Sequence, residues 1–125
     1  MGIKLRVDHH RRETYAVASG PISLAELRRH IQEEREAGGL AYPELVDARE
    51  ATPDVTPAEV RDVVEHLRNL SIDETLGPTA VVVSSDVAFG MLRMLEILIE
   101  DVVVVRPFRQ YDEAVRWLEG QRRAG

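Results

Sequence analysis

Hydrophobic and polar residues alternate at the start of the chain with the two-residue period of a half-buried strand. Ile3, Leu5 and Val7 are separated by charged residues. A second strand is predicted over 13–19, after a polar run that would form the turn of a hairpin. Gly20–Pro21 is expected to end this second strand.

Three further strands are predicted from short apolar runs bounded by polar residues. They cover Leu45–Ala48, Val81–Val83 and Val102–Val105. Continuous β-branched runs such as the last two are typical of strands that are covered on both faces. Arg106–Pro107 is expected to end the last strand.

Four helices are predicted from apolar residues that recur with helical spacing. The segments S-L-A-E and T-P-A-E, which begin at Ser23 and Thr56, have the pattern of a capping box. The third helix is the most apolar and is expected to be the most deeply packed, whereas His30 is expected at the edge of an exposed helix face. The predicted helices run from Ser23 to Gly38–Gly39, from Thr56 to Leu70, from Asp86 to about residue 100, and from about Tyr111 to Glu119.

The predicted order of elements is β-β-α-β-α-β-α-β-α. Strands that alternate with helices are joined by parallel crossovers, and the N-terminal hairpin adds an antiparallel edge. We therefore expect an α/β fold with a five-stranded mixed sheet and four helices. Residues 1–120 would form a single domain, and residues 121–125 a frayed basic tail.

Composition narrows the classes of function. The 125 residues carry a net charge of −6, which argues against a nucleic-acid-binding protein because phosphate contacts require a concentrated basic surface. The absence of cysteine excludes disulfides, thiolate nucleophiles and cysteine-based metal sites. No apolar run approaches the ~18 residues of a membrane span, and the first residues lack the apolar core of a signal peptide. We expect a soluble, cytoplasmic protein.

Several stretches of the chain carry a pattern that is known from other proteins. LVDAR (Leu45–Arg49) is followed by the T-P-A-E helix start, by TAVVVSSDVAFGMLRMLEIL (79–98) and by VVVVRPFRQYDEAVRWL (102–118). Together with the element order, these segments resemble the STAS family of anti-sigma-factor antagonists, and in particular its SpoIIAA-like branch of small stand-alone bacterial proteins. The resemblance covers nearly the whole chain. It implies a STAS-type fold and a non-enzymatic regulatory module that binds a protein partner.

In the antagonists of this family, a D-S-S-G-like element precedes the central helix and one of its serines is phosphorylated. The corresponding segment here is Asp54–Pro57, in which Thr56 lies near the phosphoacceptor position but the serine and the glycine are missing. A cap on the helix already accounts for Thr56. Capping is therefore the favoured role of this residue over phosphorylation.

The candidate binding surface is the edge of the sheet at which strands lead into helices, where ligands of α/β proteins bind. It would bind a protein partner, or a small anionic ligand at helix N-termini. Its candidate residues are Asp47, Arg49, Asp54, Thr56, Ser84, Ser85 and Asp86.

Two catalytic or metal-binding alternatives at this edge are less favoured. The three aspartates could hold Mg²⁺, but helix caps and loop hydrogen bonds explain them more simply. Ser84 lacks a G-x-S-x-G elbow and a histidine placed beside it. We expect no catalytic residue, no metal and no cofactor.

The alternative function is that of a carrier or sensor of a small apolar, lipid-like ligand. Phe89, Met91 and Met94 could line a cleft between the 86–100 helix and the sheet, because methionine adapts to irregular apolar ligands. Ordinary core packing is the competing explanation of these residues. An N-terminal edge strand in so small a domain is compatible with a homodimer.

Overall fold

A computed structural model describes residues 1–124 and confirms the predicted α/β fold with five strands and four helices in the predicted order. The strands are β1 (Gly2–Asp8), β2 (Glu13–Ser23), β3 (Glu44–Asp54), β4 (Thr79–Val82) and β5 (Val105–Phe108). The helices are α1 (Leu24–Glu36), α2 (Pro57–Leu70), α3 (Asp86–Ile99) and α4 (Tyr111–Ala124). The strands lie in the order β1-β2-β3-β4-β5, with β1 antiparallel to β2 and all other pairs parallel.

Because each strand lies beside its predecessor, every parallel crossover advances in the same direction across the sheet. Right-handed crossovers that advance in one direction place their helices on one face. Accordingly, α1, α2 and α3 share one face of the sheet, where they line a common cavity. Helix α4 follows the last strand and packs on the opposite face, against β3, β4 and β5.

The core is divided into three apolar clusters by this two-sided arrangement. One lies between α4 and the sheet, one beneath α1, and one between α2, α3 and the sheet. Successive residues of β4 alternate between the faces, with Ala80 and Val82 in the α4 cluster and Val81 in the α2–α3 cluster. This strand is therefore covered on both faces, as its β-branched sequence indicates.

Strands β2 and β3 are longer than predicted. Strand β2 passes through Gly20–Pro21 to Ser23, because Gly20 adopts a φ of 72° and the pairing shifts register between Val17 and Ser19. Strand β1 pairs with β2 only as far as Ser19, so Pro21, which lacks an N–H group, lies where no β1 partner remains. Strand β3 continues to Asp54 because its second half pairs with this extension of β2.

The last strand and the last helix also differ from prediction. Strand β5 begins at Val105, because the N–H groups of Val102 and Val103 donate to the carbonyl of Ile99 and extend the end of α3. Arg106–Pro107 lies inside β5, an edge strand in which proline is tolerated. Helix α4 runs to Ala124, so residues 121–124 of the expected frayed tail are helical, and Arg122 forms an ion pair with Glu13. Gly125 lies outside the described residues.

The expected depth of packing is wrong for two helices. Helix α3 buries only Ala88 and Ile99, because much of its apolar face borders a cavity instead of close-packed side chains. In α1, by contrast, His30 is buried with only 8% of its surface exposed. Among the described residues, no helix has the length and apolar character needed to cross a bilayer.

Candidate functional site

A cavity of about 240 Å³ lies between the sheet and the three helices on its first face. Its wall is largely apolar and is made of side chains from α1, α2, α3 and the inward positions of β2 to β5. The α3 wall consists of Ala88, Met91, Leu92 and Leu95, which recur with helical spacing. The cavity is therefore a consequence of the fold, since three amphipathic helices on one face enclose space that their side chains do not fill.

Two carboxyl groups, those of Glu34 from α1 and Glu44 from β3, interrupt this apolar wall. His30 lies one helical turn before Glu34, and its Nε2 is 2.8 Å from Oε2 of Glu44 and 3.9 Å from Oε2 of Glu34. All three residues are more than nine-tenths buried. Neither His30 Nδ1 nor Glu34 Oε2 has a hydrogen-bond partner among the described residues. These three side chains are called the polar cluster below.

Burial governs the ionisation of the polar cluster. Loss of solvation, reinforced by the neighbouring Glu44, raises the pKa of Glu34 to about 10, and burial also raises the pKa of Glu44. The same loss of solvation lowers the pKa of His30. Around neutral pH, Glu34 is therefore a neutral acid that can donate a hydrogen bond, and His30 is a neutral imidazole.

The sequence contains a weak signal for this cluster, but the charged residues around Glu34 obscure it. Leu27, Ile31 and Glu34 continue the apolar stripe of α1 at i, i+4 and i+7, so Glu34 faces the sheet although its neighbours in sequence are mostly charged. Glu44 begins β3 directly before the apolar Leu45–Val46. The proximity of residues 30 and 44 depends on the tertiary packing of α1, which contacts β1, β2 and α2, and no local pattern reveals it.

On the other face of the sheet, Asp47 and Arg49 form a bidentate ion pair with distances of 2.9 and 2.8 Å. Hydrogen bonds and charge from Arg49 lower the pKa of Asp47. Arg49 also lies over the ring of Tyr111, and its carbonyl accepts a hydrogen bond of 2.7 Å from the Ser84 hydroxyl. Asp47 was expected at the end of a strand, but it lies within β3 because that strand continues to Asp54.

The central helix begins as its sequence predicts. The Thr56 hydroxyl accepts from the Glu59 N–H at 3.1 Å, and a Glu59 carboxylate oxygen accepts from the Thr56 N–H at 2.9 Å. These two bonds confirm the capping box of α2. Asp54, the exposed last residue of β3, precedes this cap instead of lying in a polar loop.

At the start of α3, the Ser85 hydroxyl caps the helix by accepting from the Ala88 N–H at 3.1 Å. Asp86 forms an exposed ion pair of 2.7 Å with Arg109, whose guanidinium lies 4.7 Å from the centre of the Phe89 ring. Asp47, Asp54 and Asp86 do not lie close enough together to share an ion. Among the described residues, the polar cluster is the one group of three potential ligand residues whose ligand atoms lie that close.

Of the three residues expected to line an apolar pocket, one lies in the wall of the cavity and two do not. Met91 lies in the cavity wall, whereas Phe89 packs beneath Arg109 and neither Phe89 nor Met94 contributes to the wall. The cavity also extends well beyond the predicted cleft, as far as α1 and α2.

A scan against protein-family models and a search among curated proteins found no match. Among solved structures, the chain is similar to an uncharacterized protein of the DUF3478 family with a SpoIIAA-like fold from Shewanella loihica PV-4. The two share 13% sequence identity and a TM-score of 0.62, over 94% of this chain and 93% of that one. The chain thus has the SpoIIAA-like fold that its sequence resemblance predicted.

Proposed function

We propose that the protein is a non-enzymatic sensor or carrier of a small apolar ligand, which occupies the cavity between the sheet and helices α1 to α3. The apolar cavity is the observation that carries this proposal, since such pockets with a few polar groups are the usual form of small-molecule sites. The positions of Ser84 and Ser85 support a non-enzymatic role. Both hydroxyls bond backbone groups, and within residues 1–124 neither bonds a histidine.

The volume of the cavity limits the size of the ligand that it can hold. A dry apolar cavity of roughly 150 Å³ holds benzene, and pockets for drug-sized molecules begin near roughly 300 Å³. A cavity of about 240 Å³ therefore suits a ligand of about ten non-hydrogen atoms. Glu34 in the wall favours a ligand that carries one hydrogen-bonding group on an apolar body.

Two methionines of α3 provide a matched test. Met91→Trp places a large side chain in the cavity wall, whereas Met94→Trp makes the same change outside it. The probe is 1-octanol, titrated into ¹⁵N-labelled protein and followed by two-dimensional NMR. We expect shifts at Leu92, Leu95 and Val63 in the wild type and in Met94→Trp, and a loss of these shifts in Met91→Trp.

Native mass spectrometry of gently purified protein, compared with its denatured mass, tests for a retained ligand. An additional mass that is lost on denaturation supports the proposal. A bare mass together with no octanol-induced shift in the wild type would contradict it.

A protein-interaction module is a second candidate, favoured by an exposed apolar residue beside the predicted binding edge. Val87, in the first turn of α3, is 66% exposed and neighbours the Asp86–Arg109 pair. Ile72 is 78% exposed just after the C-terminal end of α2, away from this edge, and provides the control. A pull-down partner that is lost with Val87→Asp and retained with Ile72→Asp supports this function. Retention with both variants contradicts it.

A further inference from the structure

The polar cluster has the composition and spacing of a metal site. His30 and Glu34 are one turn apart on α1, and Glu44 approaches them from β3. One ligand atom from each residue lies within 4.8 Å of the other two. An imidazole and two carboxylates are common ligands of divalent transition metals.

The distances between these atoms fit a shared ion. Two ligands that each lie ~2.1 Å from a tetrahedral metal are about 3.4 Å apart. The observed distances from His30 Nε2, 2.8 Å to Glu44 and 3.9 Å to Glu34, bracket that value. Side-chain shifts of about 0.5 Å would therefore bring each carboxylate oxygen to that distance from the imidazole nitrogen.

One carboxyl oxygen of the cluster lacks the partner that a buried acid normally has. Glu34 Oε2 is buried, directed towards His30, and without a hydrogen bond among the described residues. The neutral imidazole of His30 is the one basic side chain within ion-pairing distance of Glu34 and of Glu44 in the described part of the chain. Burying two carboxyl groups beside an apolar cavity is costly unless they are paired or bind a metal. A divalent cation would displace the proton of Glu34, balance the charges of the two carboxylates and occupy the unpartnered oxygen.

We infer that His30, Glu34 and Glu44 bind one divalent transition-metal ion at the wall of the cavity. Mg²⁺ and Ca²⁺ fit less well, because they prefer more numerous, all-oxygen ligands. Glu34 and Glu44 also line the cavity, whereas His30 does not. The metal site does not rest on the proposed apolar ligand, because titration with the metal alone tests it.

The experiment is calorimetric titration of the metal-free protein with Zn²⁺, accompanied by the visible spectrum of the Co²⁺ complex. We expect one ion per chain, a Kd of about 1 μM or lower, and the absorption of a four-coordinate Co²⁺ ion. Glu34→Gln and Glu44→Gln keep the shape of the side chain, and each should weaken Zn²⁺ binding at least about 100-fold. Mg²⁺ should not compete with Zn²⁺.

Histidines outside the cluster provide the controls. His9 and His10 lie in the exposed turn between β1 and β2, and His66 lies in α2. Their asparagine variants should bind Zn²⁺ like the wild type. The proposal is overturned if the wild type binds no stoichiometric Zn²⁺. It is equally overturned if binding persists in both glutamine variants and is lost in the His9 and His10 variants.

Circular dichroism checks that each variant is folded. If a glutamine variant does not fold, X-ray absorption of the wild-type Zn²⁺ complex decides the question. One imidazole and two carboxylate ligands would support the site, and two or more imidazoles would contradict it.

Discussion

At the scale of single residues, Thr56 has a structural role that accounts for its hydrogen-bonding groups. Its hydroxyl and its N–H group are both bonded to Glu59, and Pro57 occupies the first helical position, where no N–H donor is needed. The Thr56 hydroxyl thus serves as the N-cap of α2.

Thr56→Ala should lower the free energy of unfolding by about 1 kcal/mol, because the first turn of α2 loses an acceptor for its backbone N–H groups. Urea denaturation measures this change. Thr75→Ala is the control, since Thr75 is exposed in the link before β4 and should alter stability by less than about 0.5 kcal/mol. Equal stability of Thr56→Ala and the wild type would show that the cap contributes nothing.

Residue roles were predictable from the sequence where they depend on neighbours in the chain. The caps formed by Ser23 and Thr56 follow from side chains that bond N–H groups three residues later. The polar cluster was missed because it joins residues that are 14 positions apart, and because a charged segment is normally solvated. The apolar spacing of α1 placed Glu34 inward but did not indicate what it would meet.

At the scale of elements, Gly77 fixes the distance between the links that lead into β3 and β4. Its N–H donates to the Leu40 carbonyl at 2.7 Å, and a Cβ atom at this position would lie 2.7 Å from the Ala41 carbonyl oxygen. Real Cβ atoms do not approach backbone so closely. The two links therefore require glycine at this point.

Gly77→Ala should destabilise the protein by about 2 kcal/mol or more, since relief of the contact has to move backbone. Gly90→Ala in α3 is the matched control, because a Cβ there meets nothing within 4 Å. That change should stabilise the protein by about 0.5–1 kcal/mol through the helix preference of alanine. Thermal unfolding of both variants checks the prediction. Similar destabilisation by the two changes would contradict the importance of the close approach.

The order and type of elements followed from the sequence, but strand lengths did not. Periodicity and caps marked the cores of the elements, whereas 50–54 looked like a loop because four of its five residues are polar or proline. Strand β2 holds this segment in the sheet through backbone pairing, which does not depend on side-chain type. Val102–Val103 shows the opposite error, since apolar residues there extend the end of α3 instead of forming a strand.

At the scale of the whole molecule, packing is uneven between the helices. Helix α2 buries Val60, Val63 and Val64 from successive turns, whereas the buried residues of α3 lie only near its two ends. The middle of α3 borders the cavity. Local opening is easiest where few apolar contacts are lost.

Amide hydrogen exchange should therefore show that the middle of α3 opens at a free energy at least about 1 kcal/mol below that of α2. The comparison is made on one sample of ligand-free protein under conditions in which exchange reports opening. Equal protection of the two helices would show that the cavity does not weaken the packing of α3.

The sequential order of the strands has a consequence for folding during synthesis. Each new strand can pair with the strand made just before it, so the sheet can grow in the direction in which the chain leaves the ribosome. Helices α1 to α3 can cover their face as they emerge. The opposite face, with Leu45, Ala80 and Val82, stays bare until α4 docks. The nascent chain is thus most vulnerable to aggregation after β5 has emerged and before α4 has folded.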